Sequence, residues 1–73
     1  MDKPIFYFSK YVQGVGGRIE AGIRLGFSAG QVGHILCGRR GITPLVAIRI
    51  EEDTHGEIHK GLLRPDLWTA ASK

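Results

Sequence analysis

Glycine interrupts this chain so often that no long helix or strand is expected. Eleven of the 73 residues are glycine, and turn signals fall at 14–17, 26–28, 38–41 and 56. Glycine is unfavourable inside a helix or strand and favourable where the backbone turns tightly. These turn signals divide the chain into four short segments, each about the length of a small helix. The sequence therefore predicts short helices joined by tight turns.

Size and composition limit what the chain can do. Its 73 residues weigh 8.0 kDa, with 42% hydrophobic and 23% charged residues, which is typical of a single folded domain, here 1–73. A domain of this size buries only about 60% of the surface that its unfolded chain exposes, so a deep catalytic cleft is not expected. The apolar runs are too short to span a membrane, and the single Cys37 allows no internal disulfide. We expect a cytoplasmic protein.

Charge is distributed unevenly along the chain. Residues 1–50 carry seven basic and two acidic side chains, a net charge of +5, whereas residues 51–73 carry three basic and five acidic side chains, a net charge of −2. A basic patch of this kind indicates a polyanionic partner such as nucleic acid, although scattered surface charge would give the same numbers.

The first segment, about 4–13, has apolar residues at helical spacing. Ile5, Phe8 and Val12 recur on one face, and Asp2 is the candidate N-cap. The apolar residues do not alternate as they would in a strand, so we predict a helix.

The second segment, 18–25, predicts another short helix. Ile19, Gly22, Ile23 and Gly26 fall at the spacing of one helix face. We expect this face to pack inward, because its two glycines allow another backbone to approach closely.

The third segment has the clearest local signature. Ser28 and Gln31 have the spacing of a capping box, in which each side chain accepts a hydrogen bond from the other residue's backbone. Phe27 and Val32 have the spacing of the hydrophobic staple that often accompanies such a box. We predict a helix over 29–37, ended by the glycine that follows.

The fourth segment and the tail are also predicted to be largely helical. Thr43 is a good N-cap and Pro44 suits the first helical position. Leu45, Ile48 and Glu52 fall on one predicted face, with Val46 and Ile50 on its flanks. In the tail, 57–73, a turn is expected at Pro65 and Asp66, and the apolar side chains are predicted to pack back on the body. They are Ile58, Leu62, Leu63, Leu67 and Trp68.

The second and third segments together have the spacing of a helix-turn-helix, about 18–37. Gly22 supplies the small side chain that two crossing helices need, and Gly26 supplies the residue that tolerates a positive φ in the turn. The outward face of the second of these helices is predicted to hold Ala29, Gly30, Gly33 and His34, with Cys37 at its edge.

The stretch from Gly16 to Arg40, GGRIEAGIRLGFSAGQVGHILCGRR, resembles small Cro-type phage repressors and the related YdaS-like antitoxin regulators. The tail Leu63 to Trp68, LRPDLW, is similar to an ending frequent among YdaS-like members. The resemblance covers roughly residues 5–68.

This resemblance implies an all-α, compact four- to five-helix domain of the Cro/repressor-like helix-turn-helix class. It implies a homodimer that binds an operator in double-stranded DNA with helix 29–37 in the major groove. It also implies a role in prophage or toxin-linked transcription control, with a toxin or repressor subunit as a further possible partner. A bacterial or prophage-encoded protein associated with the nucleoid is expected.

Nine residues are candidates for DNA binding. Arg18 stands where the family usually carries a glutamine that contacts a phosphate. Arg39 and Arg40 follow the recognition helix, and arginines so placed contact phosphates or a guanine edge. The full set is Arg18, Ser28, Ala29, Gly30, Gln31, Gly33, His34, Arg39 and Arg40.

The chain departs from the family on the recognition helix. Ala29, Gly30 and Gly33 stand where long polar residues usually read bases. One interpretation is a smooth helix that enters the groove deeply, with Ala29 against a thymine methyl and with Gln31 and His34 making the polar contacts. The other is a binder of low specificity, or a degenerate regulator that has lost its operator.

Other functions are less well supported by the residues present. The bare recognition face and the apolar tail also fit a protein-interaction module with weak DNA binding. The histidines and Cys37 lack the spacing of a strong metal motif, and the glycines of 14–17 lack either phosphate-loop fingerprint. No nucleophile–base arrangement is visible. We expect no enzyme activity, no metal and no cofactor.

Overall fold

The computed structural model describes residues 3–68, and within this range the chain forms five α-helices. They are α1 (Pro4–Val15), α2 (Arg18–Leu25), α3 (Ala29–Leu36), α4 (Pro44–Asp53) and α5 (Lys60–Leu63). No strand occurs in this range, so the all-α prediction is confirmed. The helices form a compact body of 33 × 24 × 20 Å.

One apolar core joins all five helices. Its residues come from α1 to α5 and from the two loops that flank α4. They are Phe8, Tyr11, Val12, Ala21, Leu25, Val32, Ile35, Ile42, Val46, Ala47, Ile50, Ile58 and Leu63. Within the described part of the chain, no charged or polar residue is buried. The charged groups therefore remain at the surface, where they can pair with one another or meet a partner.

The inward face of α1 agrees with its predicted spacing. Phe8, Tyr11 and Val12 are buried, and the helix continues two residues past its predicted end to Val15. Asp2, the predicted N-cap, lies outside the described residues. The position before the helix is held by Lys3, which makes no side-chain cap.

The bounds of α2 and the close approach of another backbone at Gly22 match the prediction, but the isoleucines of the predicted face do not pack inward. Ile19 and Ile23 are 73% and 71% exposed, whereas Ala21 and Leu25 are buried. The close approach at Gly22 explains the difference, because a methyl group built there would lie 2.5 Å from the carbonyl oxygen of Phe27. The returning chain therefore sits against Gly22 and turns the two isoleucines outward.

The start of α4 was predicted correctly, and its buried side lies along the predicted flank rather than along the predicted face. Thr43 Oγ1 accepts a hydrogen bond from the N–H of Val46 at 3.2 Å, as expected of an N-cap. Leu45 is 60% exposed, and Val46, with Ala47 and Ile50, is buried instead. Of the other residues on the predicted face, Glu52 is also exposed and Ile48 is half-buried.

The tail packs back on the body in part. Ile58 and Leu63 are buried and Trp68 is partly buried against the core, but Leu67 is 47% exposed. The backbone turns after α5 as predicted, with the N–H of Leu67 donating to the carbonyl of Arg64 at 3.0 Å. Arg64 Nη1 donates a hydrogen bond to the backbone carbonyl of Ile42 at 3.0 Å, which holds this turn against the loop before α4.

A polar network joins α1, α2 and α4. The Tyr11 hydroxyl donates to Asp53 Oδ2 at 2.8 Å, and Arg24 Nη1 lies 3.1 and 3.0 Å from the two Asp53 oxygens. The hydrogen bond from Tyr11, together with Arg24, lowers the pKa of Asp53. Burial and the neighbouring carboxylate raise the pKa of Tyr11 above its ordinary value. The network holds the outer surface of α2 against α4.

Candidate nucleic-acid interface

The start of α3 is fixed by the predicted capping box. The N–H of Gln31 donates to Ser28 Oγ at 3.2 Å, and the N–H of Ser28 donates to Gln31 Oε1 at 3.1 Å. Both backbone donors would otherwise lack a partner at a helix N-terminus. The box fixes where α3 begins and occupies the oxygen of the Gln31 side chain, so only its amide nitrogen is left for another contact.

The outer face of α3 is only partly the one predicted. Gly30, His34 and Cys37 are exposed, and Ala29 is half-buried. Gly33 was predicted to face solvent and is instead buried. The helix also ends at Leu36, one residue earlier than predicted.

The Arg18 side chain explains the burial of Gly33. A methyl group built on Gly33 would lie 3.1 Å from Arg18 Nη1 and 3.8 Å from Arg18 Cδ. Arg18 is the first residue of α2 and is itself exposed, so its side chain reaches across to α3 and covers the glycine. The long polar side chain over this part of α3 therefore comes from α2.

Two more arginines follow directly after α3. Gly38 adopts a left-handed conformation, with φ of 84°, that turns the chain away from the helix axis. The N–H groups of Arg39 and Arg40 then donate to the carbonyl of His34 at 2.8 and 3.3 Å. Both arginines are exposed, and their backbones are held at the C-terminal end of α3.

The carboxylates that form ion pairs within residues 3–68 do so with groups other than these arginines. Arg24 pairs with Glu20 and Asp53, Arg64 pairs with Asp66, and Glu51 pairs with His59 and Lys60. Within residues 3–68, Arg18, Arg39 and Arg40 have no carboxylate partner. Three guanidinium groups around α3 therefore keep their charge and their N–H donors for a partner.

A shallow concavity of about 460 Å³ lies between the first turns of α2 and α3. Arg18, Ile19, Ala29 and Gly30 line it. The N-cap of α2 is a glycine without a side-chain cap, so the first N–H groups of that helix have no side-chain acceptor of their own. A helix N-terminus with such donors favours anions. The sequence did not reveal that Ile19 belongs here, because its spacing matched an inward face.

Among residues 3–68, no three His, Cys, Asp or Glu side chains cluster as metal ligands. In the same part of the chain, none of the helices has the length and apolar character needed to cross a membrane.

Comparison of the chain with protein-family models, with curated proteins and with solved structures finds no match. The candidate interface therefore has to be interpreted from its own residues.

Proposed function

We propose that this protein binds double-stranded DNA through α3 and its flanking arginines, as a transcription regulator of the Cro/YdaS type. The observation that carries the proposal concerns three of the arginines without carboxylate partners: Arg18 lies over Gly33 of α3, and Arg39 and Arg40 follow directly after the C-terminal end of that helix. Arginines paired with carboxylates, such as Arg24, serve the fold. Arginines left unpaired beside one helix suit a polyanion.

In this proposal, α2, the turn 26–28 and α3 form a Cro-like helix-turn-helix. The major groove of B-DNA is about 12 Å wide and admits one α-helix. The residues of α3 itself on its outer face are small apart from His34, and Arg18 lies over Gly33, so few long side chains stand between α3 and the base pairs. Arg39 and Arg40 hold phosphates beside the groove. Two copies would bind half-sites about 34 Å apart on the operator.

Ser28 and Gln31 have an indirect role in this scheme. Because the two residues cap one another, they set the position of α3 rather than read bases through their oxygens. His34 and the Gln31 amide nitrogen remain as donors from α3 itself. The sequence-specific contacts are therefore few, and charge supplies most of the affinity.

The experiment that tests this function measures duplex binding against salt concentration for the wild type and for the double variant Arg39→Ala/Arg40→Ala. The wild-type affinity should fall steeply with salt. The log–log slope of the variant should be shallower by about 0.9 for each phosphate that it no longer neutralises. Arg49→Ala is the matched control, because Arg49 is exposed on α4 beside Glu52 and Asp53.

The control should keep the wild-type slope, although Arg49→Ala also removes one positive charge. An Arg39→Ala/Arg40→Ala variant with an unchanged slope would remove both residues from the interface. A wild type that binds no duplex at low salt would contradict the proposed function as a whole.

A protein-interaction module is the second candidate, and the exposed face of α2 favours it. Ile19 and Ile23 lie one turn apart and are the two most exposed large apolar residues of the described chain. If this face pairs two copies, light scattering should give a dimer for the wild type and a monomer for Ile23→Ser. A monomeric wild type, with DNA binding unaffected by the substitution, would contradict this candidate.

A further inference from the structure

Arg18 occupies an unusual place for a residue of the first helix of this pair. It is the N-terminal residue of α2, yet its side chain lies against the middle of α3. The distances from a methyl group built on Gly33, 3.1 Å to Nη1 and 3.8 Å to Cδ, place both the stem and the guanidinium over that glycine. Only glycine leaves this space without displacing the arginine.

The guanidinium of Arg18 has its donors available. No hydrogen bond or ion pair joins it to another of residues 3–68, in contrast to Arg24 and Arg64. A guanidinium is planar and presents its N–H groups as a fork. That fork matches the O6 and N7 acceptors of guanine in the major groove, and arginine on guanine is the commonest specific contact there.

The residues of α3 leave this role open. Gly30 has no side chain, Ala29 is short, and the Gln31 oxygen is bound to the N–H of Ser28. Apart from His34 and the Gln31 amide nitrogen, the exposed side of α3 thus has no donor side chain of its own near Gly33. Arg18 lies across that level.

We propose that Arg18 contacts a guanine base in the major groove from across α3. Gly33 positions the Arg18 guanidinium because its missing side chain leaves the space in which the arginine lies. The proposal rests on the DNA-binding function proposed above and specifies one base of the operator half-site. Arg18 is then a specificity-determining residue, and Gly33 is a positioning residue that acts only through it. The base contact that the short side chains of α3 do not make is then supplied by Arg18 of α2.

Two substitutions test the two roles. Arg18→Ala removes the reader, and Gly33→Ala places a methyl group 3.1 Å from Arg18 Nη1, which must move the flexible end of the side chain. Gly14→Ala is the matched control, since Gly14 is an exposed helical glycine with open space around it. Circular dichroism of each variant confirms that the helices are retained.

The assay selects binding sites from a randomised duplex library and then measures affinity for the chosen sites. The wild type should select one guanine per half-site, and 7-deazaguanine there, which lacks N7, should weaken binding. A bidentate pair discriminates against a wrong base by about 5- to 150-fold. Arg18→Ala should lose this preference, Gly33→Ala should reduce it, and Gly14→Ala should keep it.

The double variant Arg18→Ala/Gly33→Ala separates positioning from direct contact. It should show no preference beyond that of Arg18→Ala alone, because Gly33 has nothing left to position. A further loss at the same base would overturn the role of Gly33.

A uniform loss overturns the guanine assignment. If Arg18→Ala weakens all duplexes by the same factor and makes the salt slope shallower by about 0.9, Arg18 contacts a phosphate and the inference is wrong while the DNA-binding function stands. If the wild type binds no duplex, both the DNA-binding function and the inference about Arg18 are wrong. The two failures are therefore distinguishable.

Discussion

Replacing Tyr11 with phenylalanine tests the polar connection between α1, α2 and α4. Tyr11 is 2% exposed, and its hydroxyl donates to Asp53 at 2.8 Å. The substitution keeps the ring in the core and removes only this donor. Asp53 keeps its two contacts with Arg24, and its side chain is 31% exposed. No charge is therefore left buried without a partner.

The expected decrease in the free energy of unfolding follows from that geometry. A hydrogen bond to a charged group contributes roughly 1.5–3 kcal/mol, and a neutral one about 1 kcal/mol. Because water and Arg24 still reach Asp53, we expect the lower figure, about 1 kcal/mol at pH 7. For a domain of this size that lowers Tm by about 4–8 °C. Urea unfolding followed by circular dichroism should give a midpoint lower by about 1 M, with an unchanged slope.

The pH dependence of this difference gives a sharper test. The pKa of Asp53 is lowered in the folded protein, mainly by the Tyr11 hydrogen bond, so the carboxylate stabilises the fold above its unfolded pKa of about 3.9. That contribution is lost as the pH falls through the folded pKa. The difference between wild type and Tyr11→Phe should shrink in acid.

At alkaline pH, the Tyr11 hydroxyl makes the stability fall as the pH rises, opposite to the effect of Asp53 in acid. The pKa of Tyr11 is raised, mainly by burial, so the neutral phenol stabilises the fold below its unfolded pKa of about 10, and the contribution is lost as the pH rises further. The Tyr11→Phe variant has no phenol to ionise and shows no such loss.

A difference in unfolding free energy between wild type and Tyr11→Phe that stays constant between pH 7 and pH 2.5 would show that the bond to Asp53 does not form in solution. A variant as stable as the wild type at pH 7 would show the same.

Two further predictions use the same unfolding assay. Ser28→Ala removes the acceptor of the capping box at α3 and should cost about 1 kcal/mol; a loss below a few tenths would mean that the box does not hold α3. Gly22→Ala places a methyl group 2.5 Å from the carbonyl oxygen of Phe27 and should cost about 1–3 kcal/mol. Gly14→Ala meets open space and should stabilise by about 0.5–1 kcal/mol, so equal effects at Gly22 and Gly14 would contradict the close approach.

Helix starts could be predicted from the sequence because their signals are local. Ser28 with Gln31, and Thr43 with Pro44, are complete within four residues, and both caps form as predicted. The bonds join groups that are already neighbours in the chain, so little depends on the rest of the fold. The left-handed Gly26 at the end of α2 belongs to the same class.

Helix faces were harder to predict, because short helices allow several inward directions. In the eight residues of α2, the pairs Ile19 with Ile23 and Ala21 with Leu25 each have the spacing of one face. Hydrophobicity favours the isoleucines, yet they are exposed. Steric contact decides the orientation, since the backbone at Phe27 must sit against Gly22. A sequence pattern does not contain that contact, which forms only when the turn closes.

The candidate interface shows the same limit at longer range. The spacing within α3 alone predicts Gly33 as bare surface, whereas the residue that covers it lies fifteen positions earlier, at Arg18. An arginine in the first turn of one helix is long enough to cross a neighbouring helix, and a glycine on that neighbour is what leaves room for it. A glycine on a recognition helix therefore does not by itself indicate lost specificity. It can also mark the place where a side chain from the adjoining helix supplies the readout instead.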